Sequence, residues 1–188
     1  MKIITTDPVK TSSTTVATAT EVKKQLNIES TFTDDDTYIA TLIAAAVEIV
    51  EDDIIADIRD ISNVLTYEFH PDESLQTHYR IPQTPLRTFT KLEAWDGSEY
   101  ITIEASKYHI TTNWQSFEIE IRETFTATKL RFTYSTGYTD AKRPAKLKQA
   151  VILKAADMYD TERSSYAQGV TPIFTYDALI HKHKRKYY

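Results

Sequence analysis

The stretch YSTGYTDAKRPAKLKQAVILKAADMYDTERSSY, Tyr134–Tyr166, carries two patterns in one run. It continues KLRFTY, in which Leu130, Phe132 and Tyr134 alternate as in a half-buried strand. Gly137 ends that strand and lets the backbone turn. Pro144 sits where a helix can begin, because a first-turn residue has no intrahelical use for an amide. Leu147, Ala150, Val151, Ala155, Met158 and Tyr159 then share one helical face, and the helix is expected to stop near Ser164. That face bears no recognisable catalytic group, so the question is what it packs against.

Upstream, TFTDDDTYIATLIAAAVEIVEDDIIADIRDIS, Thr31–Ser62, answers in kind. Thr33 or Asp34 is placed to cap a helix, with three aspartates where its dipole favours negative charge. Ile39, Ile43, Val47, Val50, Ile54, Ile58 and Ile61 form one apolar stripe, which as an unbroken helix would run roughly 40 Å. Ala44, Ala45 and Ala46 allow close approach of a second helix. Before it, Thr18–Glu21 is a capping box opening a short helix with Val22, Leu26 and Ile28 inward. Residues 1–17 read as an arm or a loosely packed strand.

Between the helical parts the period changes to two. VLTYEF, a segment ending in KLEAW, YITI, YHI, SFEIEI (with Phe117, Ile119 and Ile121 alternating) and KLRFTY read as antiparallel strands. Pro82 and Pro85 belong at an edge or in a connection. Asp96-Gly97 is a hairpin signal. Thr171-Pro172 restarts the chain into a last helix with Ile173, Tyr176 and Ile180 on one side. The expected class is therefore α+β: a mainly helical core, from the long N-terminal helix and the C-terminal helices, with an antiparallel β insertion. One domain is expected over 1–188: an arm at 1–17, helices at 18–62, the β-rich insertion at 63–138, a helix at 144–164, and a C-terminal helix with a basic tail at 172–188.

Composition removes whole classes of function. There is no cysteine, hence no disulfide or thiolate-held metal; three glycines leave no phosphate cradle. A net charge of −5 speaks against a general nucleic-acid binder. The longest apolar run, IAAAVEIV, is too short for a bilayer, and MKIITTDPVK lacks the apolar segment of a secretory signal, so a soluble protein away from membranes is expected. Charge is uneven: Glu29–Asp60 holds ten acidic residues and one arginine, Lys182–Lys186 four basic residues and no acid. Such asymmetry suits a protein that meets partners or its own copies with opposite ends, although solvated faces explain it as simply.

No active site assembles from the residues, and neither a cofactor nor a metal is expected. His181 and His183 point to different faces of a helix end. His70, His78, Asp72 and Glu73 flank a loop where a carboxylate–imidazole hydrolase site is one alternative reading. Glu48 with Asp52, and Asp53 with Asp57, lie four apart on the long helix and are candidates for a subunit interface or a channel lining. The tail His181, Lys182, His183, Lys184, Arg185, Lys186, Tyr187 and Tyr188 is a candidate partner-binding segment. A protein partner suits it better than DNA, and a host DNA-binding module is a further alternative.

In this order, DDDTYIATLIAAAVEIVED, IPQTPLRTFTKLEAWDGSE and the strand–turn–helix stretch resemble the head–tail connector, or adaptor, proteins of tailed bacteriophages. The resemblance is carried by the aspartate-led helix, Pro85-Leu86, Asp96-Gly97, Tyr134 with Gly137-Tyr138, Pro144, and Tyr159 with Arg163, and spans about Thr18 to Tyr166. It implies a structural virion protein and not an enzyme. Copies of it, usually twelve, would form a ring on the portal after DNA packaging, extend the DNA channel without reading sequence, and offer a dock to the next neck or tail protein. The C-terminal segment would reach the portal. The location implied is the virion's head–tail junction, with the host cytoplasm during assembly. A tail terminator or stopper is the neighbouring alternative.

Overall fold

Two hydrophobic cores form, one on each side of the change in period. The structure, a computed structural model, describes residues 2–5, 8–10, 12, 15–68, 76–113, 116–123, 127–163 and 174–184. Residues 1–10 and 60–137 make one compact unit, and 11–59 with 138–188 another.

The first unit is built mainly of strands, with a short 3-10 turn at Ala105–Lys107. β1 (Lys2–Thr5), β2 (Val9–Lys10), β3 (Ile61–Glu68), β5 (Leu86–Trp95), β6 (Tyr100–Ile103) and β9 (Lys129–Thr136) build a six-stranded sheet, while β4 (His78–Ile81), β7 (Tyr108–Thr112) and β8 (Phe117–Ile121) build a three-stranded one. The larger sheet runs β1-β3-β9-β5-β6, with β2 also on β3, and the smaller β4-β8-β7. All recorded pairings are antiparallel.

Alternation along each strand sends one set of side chains between the sheets. Leu65, Tyr67, Leu92, Leu130, Phe132 and Tyr134 of the larger sheet meet Tyr79, Ile81, Phe117, Ile119 and Ile121 of the smaller. Rings dominate the filling: Tyr67, Tyr79 and Phe132 form a triangle with centroids 5.2–5.5 Å apart, and Phe117 packs edge-on to Tyr134 at 5.1 Å. Pro82 and Pro85 sit in the connection between β4 and β5. At the β5–β6 hairpin Gly97 takes φ 113, and the Asp96 carboxylate accepts from the amides of Ser98 and Glu99. Gly137, at φ 85, closes β9 by donating its amide to the Pro85 carbonyl.

The second unit holds α1 (Ala19–Leu26), α2 (Asp36–Ile54), α3 (Ala145–Arg163) and α4 (Phe174–Ile180). α3 packs against the other three. Ile39, Ile43, Val47, Val50 and Ile54 of α2 face Leu147, Val151 and Ala155 of α3, with Val22 and Ile180 joining from α1 and α4. The capping box of α1 forms as its sequence requires: the Glu21 amide donates to Thr18 Oγ1 and the Thr18 amide to the Glu21 carboxylate.

A mainly helical core with a β insertion is not what forms. Among the described residues helix and strand are nearly equal, 35% and 32%, and the strands lie in two antiparallel sheets. The stretch read as an insertion is long enough to close a sandwich over its own core, and Lys2–Thr5 and Val9–Lys10 are drawn into it as strands on β3. The long helix is also shorter than its stripe. It ends at Ile54, after 19 residues or about 28 Å, because Ile55 adopts the left-handed conformation at φ 56.

Candidate assembly surfaces

The end of α2 is set by Glu51. Its carboxylate is buried and accepts from the amides of Ile58 and Arg59, at 3.1 Å each, and from the Arg59 guanidinium at 3.2 and 2.5 Å. This folds the chain back after Ile55, so Ile58 and Ile61 continue the apolar pattern without continuing the helix. Burial opposes the charge on Arg59, but Glu51 outweighs it, with Glu48 and Asp57 adding to the field, and the guanidinium is held above its ordinary range.

That geometry separates the acidic candidates. Glu48, Asp52 and Asp53 are exposed on α2, whereas Asp57 lies beyond the helix and half-buried. Asp53 and Asp57 therefore do not share one helix. Asp53 accepts from the Tyr176 hydroxyl of α4 at 2.6 Å. Burial and that carboxylate push the Tyr176 phenol up. At the other end of α2 neither Thr33 nor Asp34 caps. Asp35 is the N-cap: its carbonyl accepts from the Ile39 amide, but its carboxylate makes no capping bond and accepts from the Tyr159 hydroxyl of α3 at 2.7 Å.

Of the basic tail, residues 181–184 close α4. The amides of His183 and Lys184 donate to the Ile180 carbonyl, and Lys184 Nζ stands 3.7 Å from Asp177. Burial and nearby Lys146 push the His183 imidazole down. His181 and Lys182 are exposed. Arg185, Lys186, Tyr187 and Tyr188 lie outside the described residues, as do Thr171-Pro172 and Ile173.

His70, Asp72 and Glu73 also lie outside them. His78 opens β4, where its Nδ1 meets the Thr77 hydroxyl and its Nε2 is 3.9 Å from Glu120. Among the described residues no three His, Asp or Glu side chains gather as a metal site, and no helix is long and apolar enough to cross a membrane.

The pattern reading missed three features. Lys23 of α1 is buried, paired with Asp36 and donating to the Phe32 carbonyl. Glu51 stands in phase with the apolar stripe, four residues after Val47, and that phase was its signal. On the outer face of the larger sheet, buried Glu93 accepts from Lys91 and Arg131 at 2.7 Å each, and Arg131 stacks 3.8 Å over Tyr100. Arg131 and then Lys91 hold the Glu93 carboxyl below its usual range against the opposing effect of burial.

No protein-family model matches the chain, and no curated protein matches its sequence. Solved structures do share its fold. A chain of "Neck of empty GTA particle computed with C6 symmetry" aligns over 100% of this chain and 97% of its own, at TM-score 0.72 and 18% identity. A chain of "Virion of native gene transfer agent (GTA) particle" aligns over 97% of each, at TM-score 0.72 and 17% identity. A chain of "Neck of native GTA particle computed with C12 symmetry" aligns over 100% and 97%, at TM-score 0.68 and 17% identity.

Proposed function

We propose that the chain is a structural, non-enzymatic protein of the neck of a tailed, phage-like particle, acting as an adaptor ring between portal and tail. One observation carries the reading: the likeness to chains from neck particles covers both units at full length, 100% of this chain and 97% of the other. The sequence motifs resembling head–tail connectors support the adaptor role, and α1 to α4 fit it. In this reading the copies, twelve by the connector resemblance, surround the DNA channel without sequence-specific contact. Assembly takes place in the host cytoplasm before the protein resides in the virion.

The acids Glu48, Asp52 and Asp53, with Asp57 beside them, have two uses here. They repel DNA phosphates from a channel wall, or they meet a basic flank of the next copy. The tail from His181 to Tyr188 reaches the portal, with Lys182, Lys184, Arg185 and Lys186 supplying charge. A stopper or terminator is the second reading, favoured by the sandwich, whose described residues form six strands and three.

Removing the chain from its particle tests the proposal. The expected product is DNA-filled heads without attached tails; normal yields of tailed particles would overturn it. A neck reconstruction then separates the two readings, since an adaptor contacts the portal directly and a stopper lies beyond it.

A further inference from the structure

Among the described residues four large apolar side chains are exposed, and three sit at the two edges of the larger sheet: Ile3 at 54%, Val9 at 73% and Ile101 at 48%. Strand edges offer unpaired amides and carbonyls, and proteins ordinarily blunt them with charge, bulges or cover. Here β1 and β2 form one edge and β6 the other. Ile3 stands opposite Tyr67 and Ile101 opposite Ala94, both members of the sandwich core. Directly opposed residues share a face. Ile3 and Ile101 therefore extend the inner apolar face of the six-stranded sheet past the cover of the three-stranded one, at both flanks.

The two flanks also differ in charge. Lys2 and Lys10 lie at the two ends of the β1–β2 edge, and Glu99 and Glu104 immediately flank β6. Lys10, Glu99 and Glu104 are exposed, and none has an ion-pair partner among the described residues. Four successive antiparallel pairings make β1 and β6 run in the same direction. The edges are thus complementary and not self-complementary, which is the condition for a head-to-tail contact that closes into a ring.

We infer that the β1–β2 edge of one copy adds in parallel to β6 of a second copy, joining the larger sheets of neighbouring copies into one continuous circle of strands. This rests on the neck reading and names the surface through which the ring closes. Ile3 and Ile101 of adjacent copies complete the inner face at each joint, and the lysines of one edge meet the glutamates of the other.

The chain has no cysteine, so introduced thiols are unique. Ile3→Cys combined with Ile101→Cys puts one on each edge. In tailed particles assembled with this chain, a short bis-maleimide should convert the 21.6 kDa band into a ladder of its multiples. Either substitution alone should leave no ladder beyond the single band. Glu99→Lys with Glu104→Lys should cut the ladder at least about tenfold, as repulsion replaces attraction at both ends of the joint. Adding Lys2→Glu and Lys10→Glu should restore it. Tailed particles that contain the double-cysteine chain yet show one band would overturn the joint and leave the neck reading standing. Particles that assemble tails without the chain would overturn the neck reading and the joint with it.

Discussion

The helical unit and the sandwich both bury an apolar core, but they fill it with different side chains. Isoleucine, valine, leucine and alanine make up most of the helical core, with Ala46, Ala150 and Ala155 fully buried where helices meet. Phe117, Phe132, Tyr67, Tyr79 and Tyr134 make up much of the sandwich core. Facing sheets stand about 10 Å apart, a gap that rings span and short side chains do not. Helices carry their side chains on narrow ridges, so small residues let the backbones close in. The same chain therefore uses two vocabularies of packing, and each should fail in its own way.

Phe132→Ala is expected to break the sandwich most deeply. It removes a fully buried ring and two of its aromatic neighbours' contacts. The loss should be about 5 kcal/mol, the upper end for a buried ring, because a triangle of rings cannot collapse into the space. Both tryptophans, Trp95 and Trp114, belong to the β unit's part of the chain, so their fluorescence reports that unit while ellipticity at 222 nm is dominated by helix. The fluorescence transition should move to lower denaturant by far more than the ellipticity transition. Equal shifts would show that the two cores melt as one.

Much of this contrast was legible in the residues. The alternation of Phe117, Ile119 and Ile121 and the stripe of Ile39, Ile43, Val47 and Val50 name faces that are buried. A face is not a partner, however. Nothing in the period of β3 says that Lys2–Thr5 pairs with it from sixty residues away, and that missing link made an independent sandwich look like an insertion. The end of α2 was hidden for a related reason. No glycine or proline marks it; a β-branched isoleucine takes the left-handed turn, held by a carboxylate whose one sign in the sequence is its phase with the apolar stripe. For the candidate surfaces, exposure of Glu48, Asp52 and Asp53 followed from helical phase. The Tyr176 bond to Asp53 did not, since it depends on where α4 lies.

Among the described residues each unit buries a glutamate, Glu51 in the helical one and Glu93 in the sandwich, and these differ in what they hold. Glu51 ties two backbone amides and a guanidinium, so it fixes a change in chain direction. Glu51→Ala strands Arg59 as a buried unpaired charge and leaves two amides open, at a cost of about 3 kcal/mol. Ellipticity at 222 nm should register this loss more strongly than fluorescence, the reverse of Phe132→Ala. Substituting Arg59 by Met alongside should recover part of it, as the stranded charge is gone.

Glu93 joins only side chains, Lys91 and Arg131, and both cations stay about a third or more exposed. Its contribution should be the smallest, about 1 kcal/mol after screening. Its pH dependence distinguishes it. Because Arg131 and Lys91 lower the folded-state pKa from 4.5, the unfolded chain takes up the proton first as pH falls. The stabilisation is therefore fully present above that ordinary value and is lost as pH drops through the lower folded one. Glu93→Gln should shift the fluorescence midpoint in urea at pH 7, and the gap between variant and parent should narrow steadily below pH 4.5. A gap that stayed constant down to pH 3 would mean that Glu93 acts by shape and hydrogen bonding alone, and that the charge ladder on the outer sheet face contributes nothing to holding β5 against β9.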